Sequence, residues 1–222
     1  MVDLPIGEQR GPGDSPSFLY YTATRSPFGQ VWLAATQRGI RRLWLPPSDE
    51  SCPKALAHEL GTCIRRAPSR FVVACQQLAQ YFDGQRRSFD LQLDLGGSAF
   101  QRKVWAATRC IPYGQVCTYG ELARAIDAPR SARAVGRALG SNPVPIIVPC
   151  HRVLRGDGTL GGFAAGVEIK RALLRLEGFL QSGEEGEDVF GRRRASPRLC
   201  RARLHRIFDL RRCAPTRSKK QN

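Results

Sequence analysis

No Cys-x-x-Cys pair occurs in this sequence, and its three histidines offer no cysteine a partner at zinc-ligand spacing. Small zinc modules and thioredoxin-type redox centres are thereby excluded, and neither a metal nor any other cofactor is expected. The eight cysteines lack the spacing of a disulfide framework, and no charged-then-apolar signal segment opens the chain. The thiols are therefore expected to be reduced and the protein intracellular. No apolar run approaches the roughly 20 residues of a membrane helix, so no membrane partner is expected. Acidic residues are scarce as well: 19 Asp and Glu face 35 Lys and Arg, for a net charge of +16. From Phe190 onward twelve basic residues stand against one acid, Asp209, so about +11 of that charge belongs to the tail and the remainder of the chain is only mildly basic. A basic chain favours polyanions such as nucleic acid, although a charge run is also the ordinary composition of a solvated extension.

What is present is enough apolar sequence, 42% of residues, to build a real core. Residues 1–17 are rich in Gly, Pro and acids and read as a disordered leader. Tyr20 to Thr24, Gln30 to Ala35 and Gly39 to Leu45 read as three strands of a small antiparallel sheet, the first two joined by the turn Ser26-Pro-Phe-Gly29. An amphipathic helix is expected over 69–83, with Phe71, Cys75, Leu78, Ala79 and Phe82 on one face. Together these form an amino-terminal α+β unit over 18–95. Gly96-Gly-Ser98 marks a junction, after which Ala99 to Thr108 opens a second, mainly helical unit over 96–180, followed by a basic, disordered tail over 181–222.

Within the second unit, Thr118-Tyr-Gly-Glu121 has the spacing of a capping box and introduces a short helix carrying Leu122, Ala125 and Ile126. A turn at Asp127-Ala-Pro129 leads to Ser131 to Leu139, closed by Gly140 as a helix C-cap. Two short helices and a tight turn suggest a helix-turn-helix, and an ordinary helical hairpin fits the pattern equally well. The second helix, Ser131-Ala-Arg-Ala-Val-Gly-Arg-Ala138, has almost no bulky residue. Its backbone can approach either a nucleic-acid groove, with Arg133 and Arg137 reaching out, or a neighbouring element.

Val144 to Val148 reads as a short buried strand that Pro149 stops just before Cys150 and His151. A nucleophilic cysteine needs a base or cation to form its thiolate, whereas an inert one sits in apolar packing; adjacency alone leaves both readings open. Neighbours in extended chain point to opposite sides, so His151 is not expected to touch the Cys150 sulfur directly, and a bridging water is one solution. A carboxylate is required to orient His151. Residues 167–177 form a strong helix with Ile169, Ala172, Leu173 and Leu176 expected inside, and Glu177 lies on its edge in line with Leu173 and Lys170.

The run Pro149-Cys-His-Arg-Val153, preceded by Asn142-Pro-Val-Pro145 and followed by Gly161-Gly-Phe163 and Leu176-Glu-Gly178, closely resembles the O6-alkylguanine-DNA alkyltransferases, or methylated-DNA-protein-cysteine methyltransferases. The match runs from about Phe100 to Gly178, and the region from Tyr20 to about Leu95 looks like the family's more variable amino-terminal domain. The resemblance implies an α+β fold: a small ribonuclease-H-like α/β domain and a winged-helix-like domain carrying the helix-turn-helix. It implies a monomer that flips O6-alkylguanine, and less well O4-alkylthymine, out of double-stranded DNA and transfers the alkyl group irreversibly to Cys150. Localisation would be cytoplasmic and nucleoid-associated, or nuclear in a eukaryote.

By the same resemblance, Glu177 orients His151, which deprotonates Cys150 through a water, and Asn142 is the hinge between the recognition helix and the active site. Tyr119 crowds the flipped nucleotide, Arg133 inserts into the vacated stack, and Ser131, Ala132, Ala134 and Gly136 lie against the minor groove. Tyr119, Val153, Phe163, Ala164 and Lys170 form the substrate pocket, with backbone groups of Cys150, Val153 and Ala164 reading the guanine edge. Phe163 stands where a tyrosine is common, and Ala164 and Ala165 also depart from better-known members, which bears on tolerance for bulky alkyl groups. Three other functions compete with this one. A non-catalytic module that binds alkylated bases and recruits other factors would lack Cys150; a thiol hydrolase needs an oxyanion hole that the sequence does not reveal; a transcriptional activator would need a further metal or helix-turn-helix domain. The tail, with Arg192-Arg-Arg194 and Leu199 to Leu210, lies outside the resemblance and suits phosphate contact, a nuclear address or plain solvation.

Overall fold

The structure, a computed structural model, describes residues 18–180; the expected leader and basic tail lie outside the described residues. Strands β1 (Phe18–Ser26), β2 (Gly29–Thr36) and β3 (Gly39–Trp44) form the expected antiparallel meander. Two elements were not anticipated. Helix α1 (Ser51–Glu59) crosses over to β4 (Cys63–Arg66), which pairs parallel with β1, so the sheet is mixed and ordered β3-β2-β1-β4. Helix α1 buries only Pro53, Leu56 and Ala57, and so short an apolar stripe leaves little periodic signal. It nevertheless explains why Leu19 to Thr22 and Val31 to Ala35 are buried without alternation. Leu19 and Ala34 meet Leu56 and Ala57 on one face of the sheet, while Tyr20, Val31, Leu33 and Ala35 face the main core on the other.

The expected helix over 69–83 begins as a 3-10 turn, Pro68–Phe71, and continues as α2 (Val72–Phe82). Its buried face is Ala74, Gln77, Leu78, Tyr81 and Phe82; Ala79, expected inside, is exposed, and Cys75 is only half-buried. Gln77 escapes the cost of burial by bonding the backbone at Asp90 through both ends of its amide. Hydropathy placed the stripe about one residue off because a glutamine and a tyrosine with satisfied polar groups belong to it.

Beyond Gly96 and Gly97, Ser98 and Gln101 form a reciprocal capping box that starts α3 (Ala99–Arg109). The capping box read at Thr118 and Glu121 is present and starts α4 (Tyr119–Ala125); such a cap stabilises a helix by about 1 kcal/mol. Helix α5 (Ala132–Gly140) follows Asp127, whose φ of 58° makes the tight turn between the two helices. Gly140 is the last helical residue rather than a left-handed cap, and Ser141 takes the C-cap position. Trp105 Nε1 donates to Ala138 O at 2.7 Å and Gln101 Nε2 to Ser141 Oγ at 2.8 Å, which fixes α5 on α3. Strands β5 (Cys117–Thr118) and β6 (Val153–Leu154) pair in parallel, and α6 (Val167–Leu176) closes the described chain.

The two units share one hydrophobic core, in which Leu33, Phe71, Leu78 and Tyr81 pack in the same cluster as Val104, Ile147 and Val148. One backbone bond also crosses between them, from Leu43 N in β3 to Pro143 O at 2.8 Å. Cys52, Cys63, Cys75, Cys117 and Cys150 are free. Among the described residues no helix is long and apolar enough to cross a membrane, and no cluster of His, Cys, Asp and Glu could hold a metal ion.

Gly39 shows how closely the sheet is tied to the segment that leads into the second unit. Its φ is 145°, and a methyl group there would sit 2.5 Å from Gln92 O, where Ile40 N and Asp94 N pair with the same segment. Gly39→Ala should therefore destabilise the protein by about 2 kcal/mol or more, read as a fall in Tm or in the urea midpoint.

Candidate active site

The segment Asn142 to Pro149 that delivers Cys150 is a buried turn, not the strand expected over Val144 to Val148. Pro143 and Pro145 have no N–H for a strand ladder, and Asn142 supplies local bonds instead. Its Oδ1 accepts from Val144 N at 3.1 Å, its Nδ2 donates to Val148 O at 2.8 Å, and Val148 N closes a turn onto Val144 O at 2.9 Å. At the centre Ile146 has a φ of 74° and is 1% exposed. A β-branched residue in the left-handed region costs about 1–3 kcal/mol, so the surrounding packing and the Asn142 bonds hold a strained conformation. Pro149 then caps a 3-10 turn over Cys150–Arg152.

Asn142 Nδ2 also donates to Cys150 Sγ at 3.1 Å, so the residue expected as a hinge reaches the sulfur itself. His151 does not bond the sulfur, as expected, although the turn rather than an extended chain separates the two side chains. Its Nε2 meets Glu177 Oε1 at 2.8 Å, with both side chains fully buried. Since the ionised carboxylate can only accept, Nε2 carries the hydrogen and Nδ1 holds the lone pair. Nδ1 is buried and has no hydrogen-bond partner among the described residues.

Glu177 receives more than His151. Arg152 Nε donates to its Oε2 at 2.9 Å and Arg152 Nη2 to its Oε1 at 2.8 Å, a planar fork, while Nη1 of the same arginine reaches Ile111 O at 2.6 Å. Gly114 N donates to Oε2 at 3.1 Å, and Tyr81 Oη donates to Oε1 at 2.7 Å. Arg152, Gly114 and Tyr81 were not among the expected site residues. Arg152 had a signal, a charged residue inside an otherwise apolar stretch; Tyr81 had none, lying 96 residues from its partner.

The protonation states follow from burial set against these bonds. Burial pushes the Glu177 carboxyl up, but the His151 and Arg152 bonds outweigh it and bring it down to about 2. Burial pushes His151 below its ordinary value despite Glu177, so the imidazole is neutral at pH 7. Burial also raises the Cys150 thiol, against the Asn142 bond and the nearby Lys170 charge. The resting pair is thus thiol and neutral imidazole, with a base ready to take the proton.

The remaining expected residues divide into groups. Tyr119, at the start of α4, is half-buried near Cys150, and burial raises its phenol. A methyl group at Gly136 would lie 3.7 Å from the Tyr119 ring, and one at Gly161 3.5 Å from its hydroxyl, so this ring joins α5 to the Gly161 loop. Along α5, Arg133 and Arg137 are exposed and Ser131, Ala132, Ala134 and Gly136 are half-buried, which leaves a smooth surface flanked by two cations. Phe163 is half-buried against the main core, and Ala164 is exposed in a turn closed by Gly166 N on Phe163 O.

Lys170 holds the pocket rather than lining it. It is 0% exposed, and its ammonium donates to Val153 O at 2.7 Å and to Leu160 O. Burial lowers it to about 8. The buried stripe of α6 is accordingly Lys170, Leu173, Leu174 and, one step past the helix, Glu177, with Ile169, Ala172 and Leu176 only partly covered. Hydropathy could not centre a stripe that begins and ends on charges.

Comparison with known proteins bears on this geometry. Residues 19–95 match the ribonuclease-like domain of 6-O-methylguanine DNA methyltransferase, and residues 99–179 match its DNA-binding domain. A methylated-DNA–protein-cysteine methyltransferase of Methanosarcina acetivorans is 40% identical over 160 residues, covering 72% of this chain and 99% of that protein. A protein of the same name from Mycolicibacterium paratuberculosis is 52% identical over 110 residues, covering 50% of this chain and 67% of that one. The crystal structure of Mycobacterium tuberculosis OGT in complex with DNA superposes with a TM-score of 0.64 at 42% identity, covering 71% of this chain and 92% of that chain.

The protonation pattern makes a direct forecast. At pH 7.5 and without DNA, Cys150 should react with iodoacetamide about tenfold or more slowly than the exposed Cys63, because the buried thiol is protonated. Peptide mapping of the alkylated protein over time measures both rates at once.

Proposed function

The chain belongs to the 6-O-methylguanine DNA methyltransferase family, and from that premise we propose that Cys150 is the residue that takes the alkyl group. The protein repairs DNA by alkyl transfer and acts on duplex DNA that carries O6-alkylguanine. The observation that carries the assignment is the Cys150 sulfur held by Asn142 beside a buried His151–Glu177 pair whose outer nitrogen has a free lone pair.

The reaction is a displacement at the alkyl carbon. The proton of Cys150 passes through a water to His151 Nδ1, and Glu177 stabilises the imidazolium that forms. The thiolate sulfur attacks the carbon as the C–O6 bond breaks, leaving a thioether on Cys150 and returning guanine, which takes a proton as it departs. Asn142 Nδ2 and the Lys170 charge favour the anionic sulfur as it develops. The thioether has no route back to a thiol, so each molecule acts once.

The alkyl carbon is out of reach inside a stacked duplex, so the nucleotide is extruded. Helix α5 suits this step: its small residues Ala132, Ala134 and Gly136 permit close approach to a groove, and Arg133 stands exposed beside them. Tyr119 links that helix to the Gly161 loop, which supports a role at the mouth of the pocket. Phe163 and Ala164 suit the wall against which the base stacks, and Lys170 pins the backbone of the buried Val153 and of Leu160 in place behind it. The same reading puts the protein in the compartment that holds DNA, the cytoplasm of a cell without a nucleus.

Incubation with duplex DNA carrying one O6-methylguanine should add the mass of one methylene to the intact protein, saturating at one per molecule and mapping to Cys150. Cys150→Ala should gain no mass and still bind the duplex; binding without transfer by the unaltered protein would instead identify a recruiting module. Arg133→Ala should slow repair in duplex DNA by about tenfold or more while leaving transfer from the free base within about twofold, since only the former requires a stack to be held open. Single-turnover rates on the two substrates check this.

A further inference from the structure

Tyr81 belongs to α2, in the unit that contributes no other side-chain hydrogen bond to Cys150, His151 or Glu177 among the described residues. Its ring is 0% exposed and packed edge-on to Phe82 and Tyr113, with Phe89 against its remaining side. In that cage its hydroxyl donates to Glu177 Oε1 at 2.7 Å and stands 3.5 Å from His151 Nε2. Oε1 is therefore shared by three donors, Tyr81, His151 and Arg152, whereas Oε2 takes Arg152 and Gly114.

We propose that Tyr81 is a positioning residue for alkyl transfer: through Glu177 Oε1 it fixes the carboxylate on which His151 depends, which makes the amino-terminal unit part of the transfer machinery. This rests on the assignment of Cys150 as the acceptor. Two consequences follow from the geometry. The Tyr81 bond comes from α2, across the interface between the units, so it fixes the carboxylate's rotation from a unit that supplies none of its other donors among the described residues. It also withdraws negative charge from the oxygen that faces His151 Nε2–H. Less charge there makes the imidazolium less favourable, which keeps His151 neutral and able to accept the Cys150 proton.

The groups that face this pair from every packed element are few. They are Tyr81 from α2, Tyr113 from the loop after α3, His151, Arg152 and Cys150 from the 3-10 turn, and Lys170 from α6. Arg87 lies over the far side of the Tyr113 ring at 5.7 Å. Arg152 and Lys170 already disfavour a charged His151. Of the side chains that bond Glu177, Tyr81 can be altered without removing either the base, His151, or the counter-charge, Arg152.

The test compares the full chain, Tyr81→Phe, Glu177→Gln and the double variant in single-turnover transfer from duplex O6-methylguanine, from roughly pH 5 to 9, alongside DNA affinity. The final amplitude counts active molecules, so the rate constants refer to folded protein even where a variant is less stable. Tyr81→Phe should slow transfer about tenfold at pH 7 with DNA affinity within about twofold. With the Tyr81 donor gone, Oε1 favours the imidazolium, so the acid limb of the pH–rate profile should move to higher pH by about half a unit. In the Glu177→Gln background Tyr81→Phe should change the rate by less than about twofold, since its effect runs through the carboxylate. A Tyr81→Phe profile that overlays the unaltered protein, or a slowdown that multiplies independently with Glu177→Gln, overturns the proposal. If the unaltered protein itself gains no mass, the assignment of Cys150 fails instead.

Discussion

A single buried carboxylate organises this molecule. Glu177 sits just past the end of α6, and its two oxygens receive five hydrogen bonds from four residues. An isolated carboxylate in such a place would be protonated or would cost several kcal/mol. Here the Arg152 fork supplies the counter-charge, and the remaining donors satisfy the lone pairs that the fork leaves. The donors come from both units and from two separate stretches of the second, while the carboxylate itself comes from a third. Satisfying Glu177 is therefore the same event as bringing α2, the Tyr113–Gly114 loop, the 3-10 turn and the end of α6 together. The close fit at Gly114, where a methyl group would lie 2.8 Å from Glu177 O, shows how little room the arrangement leaves.

The turn that carries Cys150 is held from the opposite end by Asn142. One amide there bonds two backbone groups and the sulfur, and it stabilises a loop whose centre, Ile146, sits in a conformation a β-branched residue resists. Strain of this kind survives only where the surroundings over-determine it. The loop's buried side chains pack into the core that the two units share, and Leu43 N bonds Pro143 O from the sheet. The sheet thus bonds the loop that leads to Cys150 just as Tyr81 bonds the carboxylate behind His151, and both bonds reach across the junction at Gly96 and Gly97.

Much of this was legible in the sequence because some residue types admit few explanations. The capping box at Thr118 and Glu121, the meander over the first three strands, the Cys150–His151 pair and the alignment of Glu177 with Leu173 and Lys170 all appear where the pattern put them. What escaped shares a physical cause. Helix α1 buries too few residues to leave a period, and Gln77 is buried through specific hydrogen bonds that hydropathy counts as exposure. The turn over Val144 to Val148 mimicked a strand because its residues are apolar and β-branched, while its prolines and the Asn142 side chain decided otherwise. Tyr81 could not be found from local pattern at all, since its meaning lies in a partner on another unit.

A nucleophile that is spent in one reaction faces a constraint that a recycling enzyme does not. Every encounter with the wrong electrophile removes a molecule permanently, so a standing thiolate would be a liability. On the proposed reading, burial of Cys150 keeps the proton on its sulfur, while the adjacent His151 stays neutral with Nδ1 unbonded among the described residues. In such a design the pKa of the resting thiol measures restraint rather than reactivity. The heavily bonded carboxylate behind His151 serves the same end: held near pKa 2 by its donors, it remains an anion that can stabilise the imidazolium at the moment of transfer without taking the proton itself.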